Sequence, residues 1–303
     1  MPPTRTCSSN PSTTACCPAS ASTGKNYFYV NALKKLKDFE WPMRWSRTRT
    51  PNIKASFCCP PNTVRTIAEM HNYVYSLSKD ALWVNLYAAS ELSTGWLDGS
   101  RVKLKQETDY PWNGAVKLTM VEAPARPIAV RLRVPGWLHA GAAKLRVNGQ
   151  PVDAKLAPGS YAEVKRTWRA GDVIDLAMDF SPVLLEANPL VEETLNQVAV
   201  KFGPLVYCLE SNDLPEGVRL ADVMLALDRT ARALTPQPQK IGPANLVALR
   251  APALAALRPA WGKSELYREH ARAPMRDVSV SFVPYYAWGN RGDTEMSVWL
   301  PAR

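Results

Sequence analysis

Leu82-Trp83-Val84-Asn85-Leu86-Tyr87-Ala88 decides the fold, because apolar side chains recur there with a period of two directly after a segment of helical spacing. Val102 to Gln106, Ala115 to Met120, Ile128 to Val134 and Lys144 to Val147 continue the alternation, and Tyr161 to Thr167 and Val173 to Met178 complete the set. Asn113-Gly114 and Asn148-Gly149 stand between such runs as hairpin signals, since both residue types tolerate the positive φ of tight primed turns. Short strands at this spacing over about 100 residues predict an antiparallel sandwich. A second set opens at Val183 and includes Gln197 to Phe202 and Leu205 to Leu209, while Val278 to Pro284 and Met296 to Leu300 close the chain. Residues 211–263 are rich in Ala, Leu and Pro and are left unassigned. The β region divides near Ser181.

Upstream lies the clearest helix of the sequence. Cys58-Cys59-Pro60-Pro61-Asn62 opens it, with prolines where a first turn tolerates a missing amide hydrogen, and Val64, Ile67, Ala68, His71, Val74 and Tyr75 follow along one face. The spacing predicts an end near Leu77. Before it, residues 25–54 carry Lys25, Lys34, Lys35, Lys37, Arg44, Arg47, Arg49 and Lys54 against Asp38 and Glu40, so much of the net charge of +10 is local. Aromatic residues interleave with these cations as they would in a single-strand nucleic-acid binder. No nucleic-acid motif accompanies them, so the segment reads as a solvated connecting loop and no nucleic-acid partner is expected.

At 303 residues, 46% hydrophobic and 21% charged, the chain can bury more than one core, and its 26 prolines against 15 glycines suit short strands joined by turns. No stretch approaches the roughly 18 apolar residues of a membrane span, and the Pro/Thr/Ser-rich start lacks the apolar core of a signal peptide. The sequence as written therefore predicts a cytoplasmic chain with no membrane partner. Residues 1–24 contain three of the six cysteines but neither period nor aromatic residue, and are expected to hold no stable structure.

Adjacent Cys58 and Cys59 are the constellation with a sharp chemical meaning. Their Cα atoms stand about 3.8 Å apart, too close for an ordinary disulfide. Two thiolates at a helix entrance suit a soft metal such as zinc, yet zinc takes four ligands and no second pair with ligand spacing is present. Two thiols packing at a helix start is the competing reading. His71 on the apolar face reads as a packed or hydrogen-bonded histidine, His139 and His270 fall in loops, and Cys208 reads as a buried strand residue. Glu107 with Asp109 could form a carboxylate pair, and Trp112 and Trp137 could stack on sugars, although solvated structure and packing at sandwich ends are the commoner roles.

Phe57-Cys58-Cys59-Pro60-Pro61-Asn62, with Val64-Arg65 and Tyr73-Val74-Tyr75-Ser76 behind it, resembles the signature of glycoside hydrolase family 127, the DUF1680 β-L-arabinofuranosidases. Further motifs run in the family's order: Phe28-Tyr29-Val30-Asn31, Glu107-Thr108-Asp109-Tyr110-Pro111-Trp112, Val134-Pro135-Gly136-Trp137, Arg146-Val147-Asn148-Gly149, Gly203-Pro204-Leu205-Val206-Tyr207 and Tyr285-Tyr286-Ala287-Trp288-Gly289-Asn290-Arg291-Gly292. The similarity covers about residues 25–303.

The resemblance implies a mainly β chain of two antiparallel β-sandwich domains, residues 79–181 and 182–303, preceded by a short remnant of an (α/α)6 barrel over residues 25–78. It implies Cys58 as nucleophile and zinc ligand, Cys59 as a second zinc ligand, and Tyr29 as a residue lining the sugar pocket. The function implied is retaining hydrolysis of β-L-arabinofuranosyl glycans. The family's upstream acid/base glutamate and Glu-x-Cys zinc ligands have no counterpart in these residues. Thr13 to Gly24 can be encoded by codons that, read one nucleotide earlier, spell Tyr-Asn-Gly-Val-Leu-Pro-Gly-Ile-Ser-Leu-Asp-Gly, which resembles the family stretch preceding Phe28. The expectation is a C-terminal fragment behind an out-of-frame leader, inactive alone. A non-catalytic structural or carbohydrate-binding β-sandwich protein is the alternative from another class.

Overall fold

A computed structural model of the chain describes Phe28 and residues 30–36, 58–259, 262 and 264–303. The expectation for residues 1–24 lies outside them. Among the described residues two compact units emerge, one over residues 58–181 and the other over residues 182–303 together with Phe28 and residues 30–36.

In the first unit, helix α1 (Cys59–Glu69) leads through a 3-10 turn at Met70–Tyr73 into strand β1 (Tyr75–Ser78). The helix is therefore shorter than its apolar spacing predicts. Tyr75 to Ser78 pair instead with β2 (Ala81–Val84) across the Lys79-Asp80 turn, and the buried Val74 closes the bend by accepting from the amides of Asn85 and Leu86. Tertiary pairing thus outweighs local helical preference at the last turn.

The remaining strands are β3 (Ser90–Gly95), β4 (Arg101–Thr108), β5 (Ala115–Glu122), β6 (Ile128–Arg133), β7 (Ala143–Val147), β8 (Gln150–Pro151), β9 (Tyr161–Arg166) and β10 (Val173–Met178). They form a four-stranded sheet, β9-β6-β2-β1, and a six-stranded sheet, β3-β4-β5-β10-β7-β8. Alternation does what it predicts: Val102 and Leu104 on β4, Val116, Leu118 and Met120 on β5, and Ile174 and Leu176 on β10 are buried in one cluster with Leu82, Val130 and Leu132 of the other sheet. The ladder between β2 and β6 is parallel, the exception to the antiparallel expectation. The chain leaves β2, builds β3 to β5 in the other sheet and returns as β6, so strands rather than a crossover helix supply the long connection that parallel pairing needs. Asn148 and Gly149, at φ of 51° and 78°, make the expected tight turn between β7 and β8.

The second unit comprises β11 (Pro182–Glu186), β12 (Gln197–Phe202), β13 (Leu205–Glu210), β14 (Val223–Met224), helix α2 (Leu227–Ala233), β15 (Thr235–Ile241), β16 (Ala244–Ala256), β17 (Met275–Pro284), β18 (Met296–Ser297) and β19 (Trp299–Pro301). Its ladders between these strands are antiparallel. The unassigned stretch contains a hairpin, β15 with β16. Pro236 and Pro238 are tolerated there because β15 pairs on one side only. Ala248, Ala251, Ala253 and Ala255 on β16 are buried, so close packing rather than β-propensity holds an Ala-rich strand. The strand Lys34–Lys35 pairs with β18, Phe28 stacks on Trp288 at 4.2 Å, and Tyr285 donates to the Ala32 carbonyl at 2.9 Å. No helix among the described residues is long and apolar enough to cross a membrane.

Candidate functional site

The Cys58-Cys59 pair stands at the entrance of α1. Cys58 occupies the N-cap with φ −104° and ψ −53° and spends no side-chain hydrogen bond on capping. The first helical bond runs from the Asn62 amide to the Cys58 carbonyl at 3.1 Å, and Thr66 Oγ1 donates to the Asn62 carbonyl at 2.8 Å. Pro60 and Pro61 pre-set the helical φ of a turn whose amides would have had no partner, so the chain can start a helix here without an Asx or Ser cap. The result is a cysteine exposed to solvent at the N-terminal end of a helix.

Cys59 opens α1; its side chain, and all of Tyr29, lie outside the described residues. Among the described residues no group of three or more His, Cys, Asp or Glu side chains is placed to hold a metal ion. Two thiolates are half of a tetrahedral shell. The described donors therefore do not fit a closed zinc site by themselves.

The other singled-out residues resolve plainly. His71 is exposed, its Nδ1 within 2.8 Å of the Ala68 carbonyl, a local helix-end contact. His139 and His270 are exposed as well. Glu107 pairs with Lys105 at 3.0 Å, and that hydrogen bond and charge hold its carboxyl below its ordinary range, the opposite of what a general acid needs. Cys208 is fully buried, and desolvation pushes its thiol well above the ordinary value, so it is an inert core residue. Tyr110 packs edge-on against Tyr87 and Phe180, with burial pushing its hydroxyl up to about 12, and Trp137 meets Phe180 edge-on at 5.0 Å. These aromatic motifs build the end of a sandwich, although Trp112 stays substantially exposed.

Sequence reasoning passed over two groups. In the second unit, the carboxylate of Glu210 is buried without solvent contact and held by the Gly289 amide at 2.8 Å and by the Arg291 guanidinium. In the first unit, Trp96, Asp98 and Arg126 border a cleft at the ends of β1, β3 and β5. The available signal was a tryptophan just before an Asp-Gly turn, Trp96-Leu97-Asp98-Gly99.

Comparison with known proteins covers both units. Residues 81–180 match the family model described as the GH127 middle domain of β-L-arabinofuranosidases, and residues 182–301 match the C-terminal domain of glycoside hydrolase family 127. The chain is 32% identical over 286 residues to a non-reducing end β-L-arabinofuranosidase of Bifidobacterium longum subsp. longum, an overlap of 91% of this chain and 42% of that protein. A solved structure named as a glycoside hydrolase superposes with a TM-score of 0.87 at 43% identity, over 95% of this chain and 46% of the other. The crystal structure of a GH127 β-L-arabinofuranosidase from Geobacillus stearothermophilus T6 gives a TM-score of 0.81 at 34% identity, over 95% and 44%. The chain thus spans less than half the length of each of these relatives.

Proposed function

The chain belongs to glycoside hydrolase family 127, and from that premise we propose that it serves the hydrolysis of terminal β-L-arabinofuranosyl groups of glycans, with Cys58 as nucleophile. The observation that carries the reading is an exposed cysteine at the start of a proline-set helix that leads directly into the matched β unit.

In the proposed retaining reaction, Cys58 Sγ attacks the anomeric carbon and a C–S bond forms as the glycosidic C–O bond breaks. The departing oxygen takes a proton from an acid. Water then attacks the same carbon, gives up a proton to the conjugate base, and the C–S bond breaks to restore the thiolate. Zinc, where bound, would hold and activate the thiolates of Cys58 and Cys59. It would need donors beyond those described, and none of these steps depends on it.

Among the described carboxylates, Glu107 is held below its ordinary range by Lys105 and Glu210 is bound by Arg291, and neither serves as the proton donor in this reading. Acid/base assistance is typically worth about 10²- to 10⁴-fold. We infer that the 303 residues on their own bind zinc weakly and leave arabinofuranosides intact. The test assays nitrophenyl β-L-arabinofuranoside hydrolysis and zinc content for this chain beside a version extended into upstream coding sequence, each with and without Cys58→Ser. Turnover confined to the extended form and abolished by C58S is the expected result. Near-stoichiometric zinc and comparable turnover in the 303-residue chain would overturn the inactivity, and turnover surviving C58S would overturn the nucleophile.

A further inference from the structure

We propose that the cleft bordered by Trp96, Asp98 and Arg126 in the first unit is a second sugar-binding site, separate from Cys58 and taking one neutral saccharide unit. The cleft measures about 690 Å³ and lies where the Lys79-Asp80 turn, the Trp96–Ser100 turn and the approach to β6 converge. Its volume falls within the range of small-molecule sites, roughly 300–1,000 Å³. The inference rests on the reading of this family member as glycan-active, and concerns binding alone.

The walls are fixed before any ligand arrives. Trp96 Nε1 donates to the Ser78 carbonyl at 2.7 Å, and its main chain closes a turn with Ser100 and Gly99, where Gly99 has a φ of 82°. The Arg126 guanidinium lies over the Trp96 ring at 4.9 Å and donates through Nε to Asp98 Oδ2 at 3.0 Å and through Nη2 to the Lys79 carbonyl at 3.4 Å. Asp98 Oδ1 accepts from the amide and the hydroxyl of Ser100, and these bonds, with Arg126, hold the carboxyl below its ordinary range. Such fixed polar groups lose little freedom when a ligand binds.

The chemistry selects a neutral polyol. Lys79 and Arg126 are matched by Asp80 and Asp98, so an anion or a cation gains no net Coulomb attraction from the lining. Arg126 Nη1 remains to donate to one hydroxyl oxygen, and the Asp98 carboxylate to accept from the neighbouring hydroxyl, a paired arrangement that vicinal diols satisfy. Leu77 and Leu97 supply the apolar wall against which the C–H face of a sugar ring packs, and the Trp96 ring, covered by Arg126, holds that guanidinium in place. Leu97 is fully exposed at 109% of its reference area, an apolar side chain at the rim of a polar cleft.

The experiment titrates the 303-residue chain with methyl β-L-arabinofuranoside and, as an anionic counterpart, galacturonate, following tryptophan fluorescence and calorimetric heat. Saturable binding of the neutral sugar that survives C58S, and weakens about tenfold or more in W96A and D98N, is expected. D98N preserves side-chain volume and decides the matter if W96A fails to fold, as judged by its thermal midpoint. Absence of saturable binding, preference for galacturonate, or unchanged binding in folded D98N would overturn the site. Hydrolysis by the extended chain is scored separately, so loss of the catalytic reading and loss of this site are distinguishable.

Discussion

Arg291 holds Glu210 from within the second unit: Nε donates to the Glu210 carboxylate at 3.2 Å, with Nη2 closer still, while Nη1 reaches Asp213 at 2.7 Å. One cation thus bridges two carboxylates, the first without solvent contact and the second with a side chain only 7% exposed. Arg291 belongs to the loop that also carries Trp288, against which Phe28 stacks, so the network anchors the loop that receives Phe28.

Replacing Arg291 by Met leaves both acids buried without a counterion, which costs about 3–5 kcal/mol. The double variant with Glu210→Gln recovers part of that loss, because the more buried charge is removed along with its partner. Denaturant unfolding of the two singles and the double measures this. Strictly additive losses would show that the pair does not interact.

Asp172 makes an analogous lock in the first unit and gives a pH dependence. Burial disfavours its charge, but hydrogen bonds from Asn148 Nδ2 at 2.8 Å and the Arg169 amide at 2.9 Å, with the Arg166 cation, outweigh it and lower the pKa. A depressed carboxylate pKa contributes stability that is fully present above the unfolded value, about 3.9, and is lost as pH falls through the folded value. Asp172→Asn therefore costs about 1 kcal/mol near neutrality, discounted for its nearness to solvent, and the gap to the parent narrows as pH falls through the depressed folded value. Unfolding curves over pH 2–7 for both proteins check it; a gap independent of pH would contradict the assignment.

The strands of the first unit were legible because its two sheets bury one face each, which writes the fold as alternation at Val102 to Gln106 and Ala115 to Met120. Asn148-Gly149 was legible because few residues accept its backbone angles. The hairpin of residues 235–256 was not, since burial of Ala251, Ala253 and Ala255 depends on their partners across β17, a fact absent from local composition. The end of α1 was misread because Tyr75 and Leu77 have the same sequence spacing whether a helix continues or a strand pairs with Leu82 to Val84. Of the site, the cysteine pair and its proline-set turn could be read directly. The cleft at Trp96 could not, as Arg126 reaches it from another connection.

Gly114 offers a sharp steric test. A Cβ built there would stand 1.9 Å from the Met178 carbonyl oxygen, a backbone atom that β10 holds in place. The Met178 amide also donates to the Gly114 carbonyl at 2.9 Å, so the two backbones cannot simply part. Gly114→Ala should destabilise the first unit by roughly 2–4 kcal/mol, whereas Gly99→Ala meets no atom and pays only for its positive φ, on the order of 1 kcal/mol. Thermal midpoints of the two variants rank them. Equal losses would mean that the strand ends relax around the added methyl.

Cysteine reactivity separates the proposed nucleophile from the core thiol. Thiol alkylation needs the thiolate and access to it. Cys58 is exposed to solvent. Cys208 has neither, for it is fully buried, its Sγ donates to the Val283 carbonyl at 3.7 Å, and desolvation raises its pKa. In a Cys59→Ser background, which isolates Cys58 within its peptide, iodoacetamide at neutral pH should label Cys58 in the folded protein at least about a hundredfold faster than Cys208. Cys208 should label only as fast as the second unit opens, and a denaturant that unfolds it should bring the two rates together. Peptide mapping by mass spectrometry gives both rates from one sample. Equal rates in the folded chain would place Cys58 in a packed site and remove the accessibility on which its role as nucleophile depends.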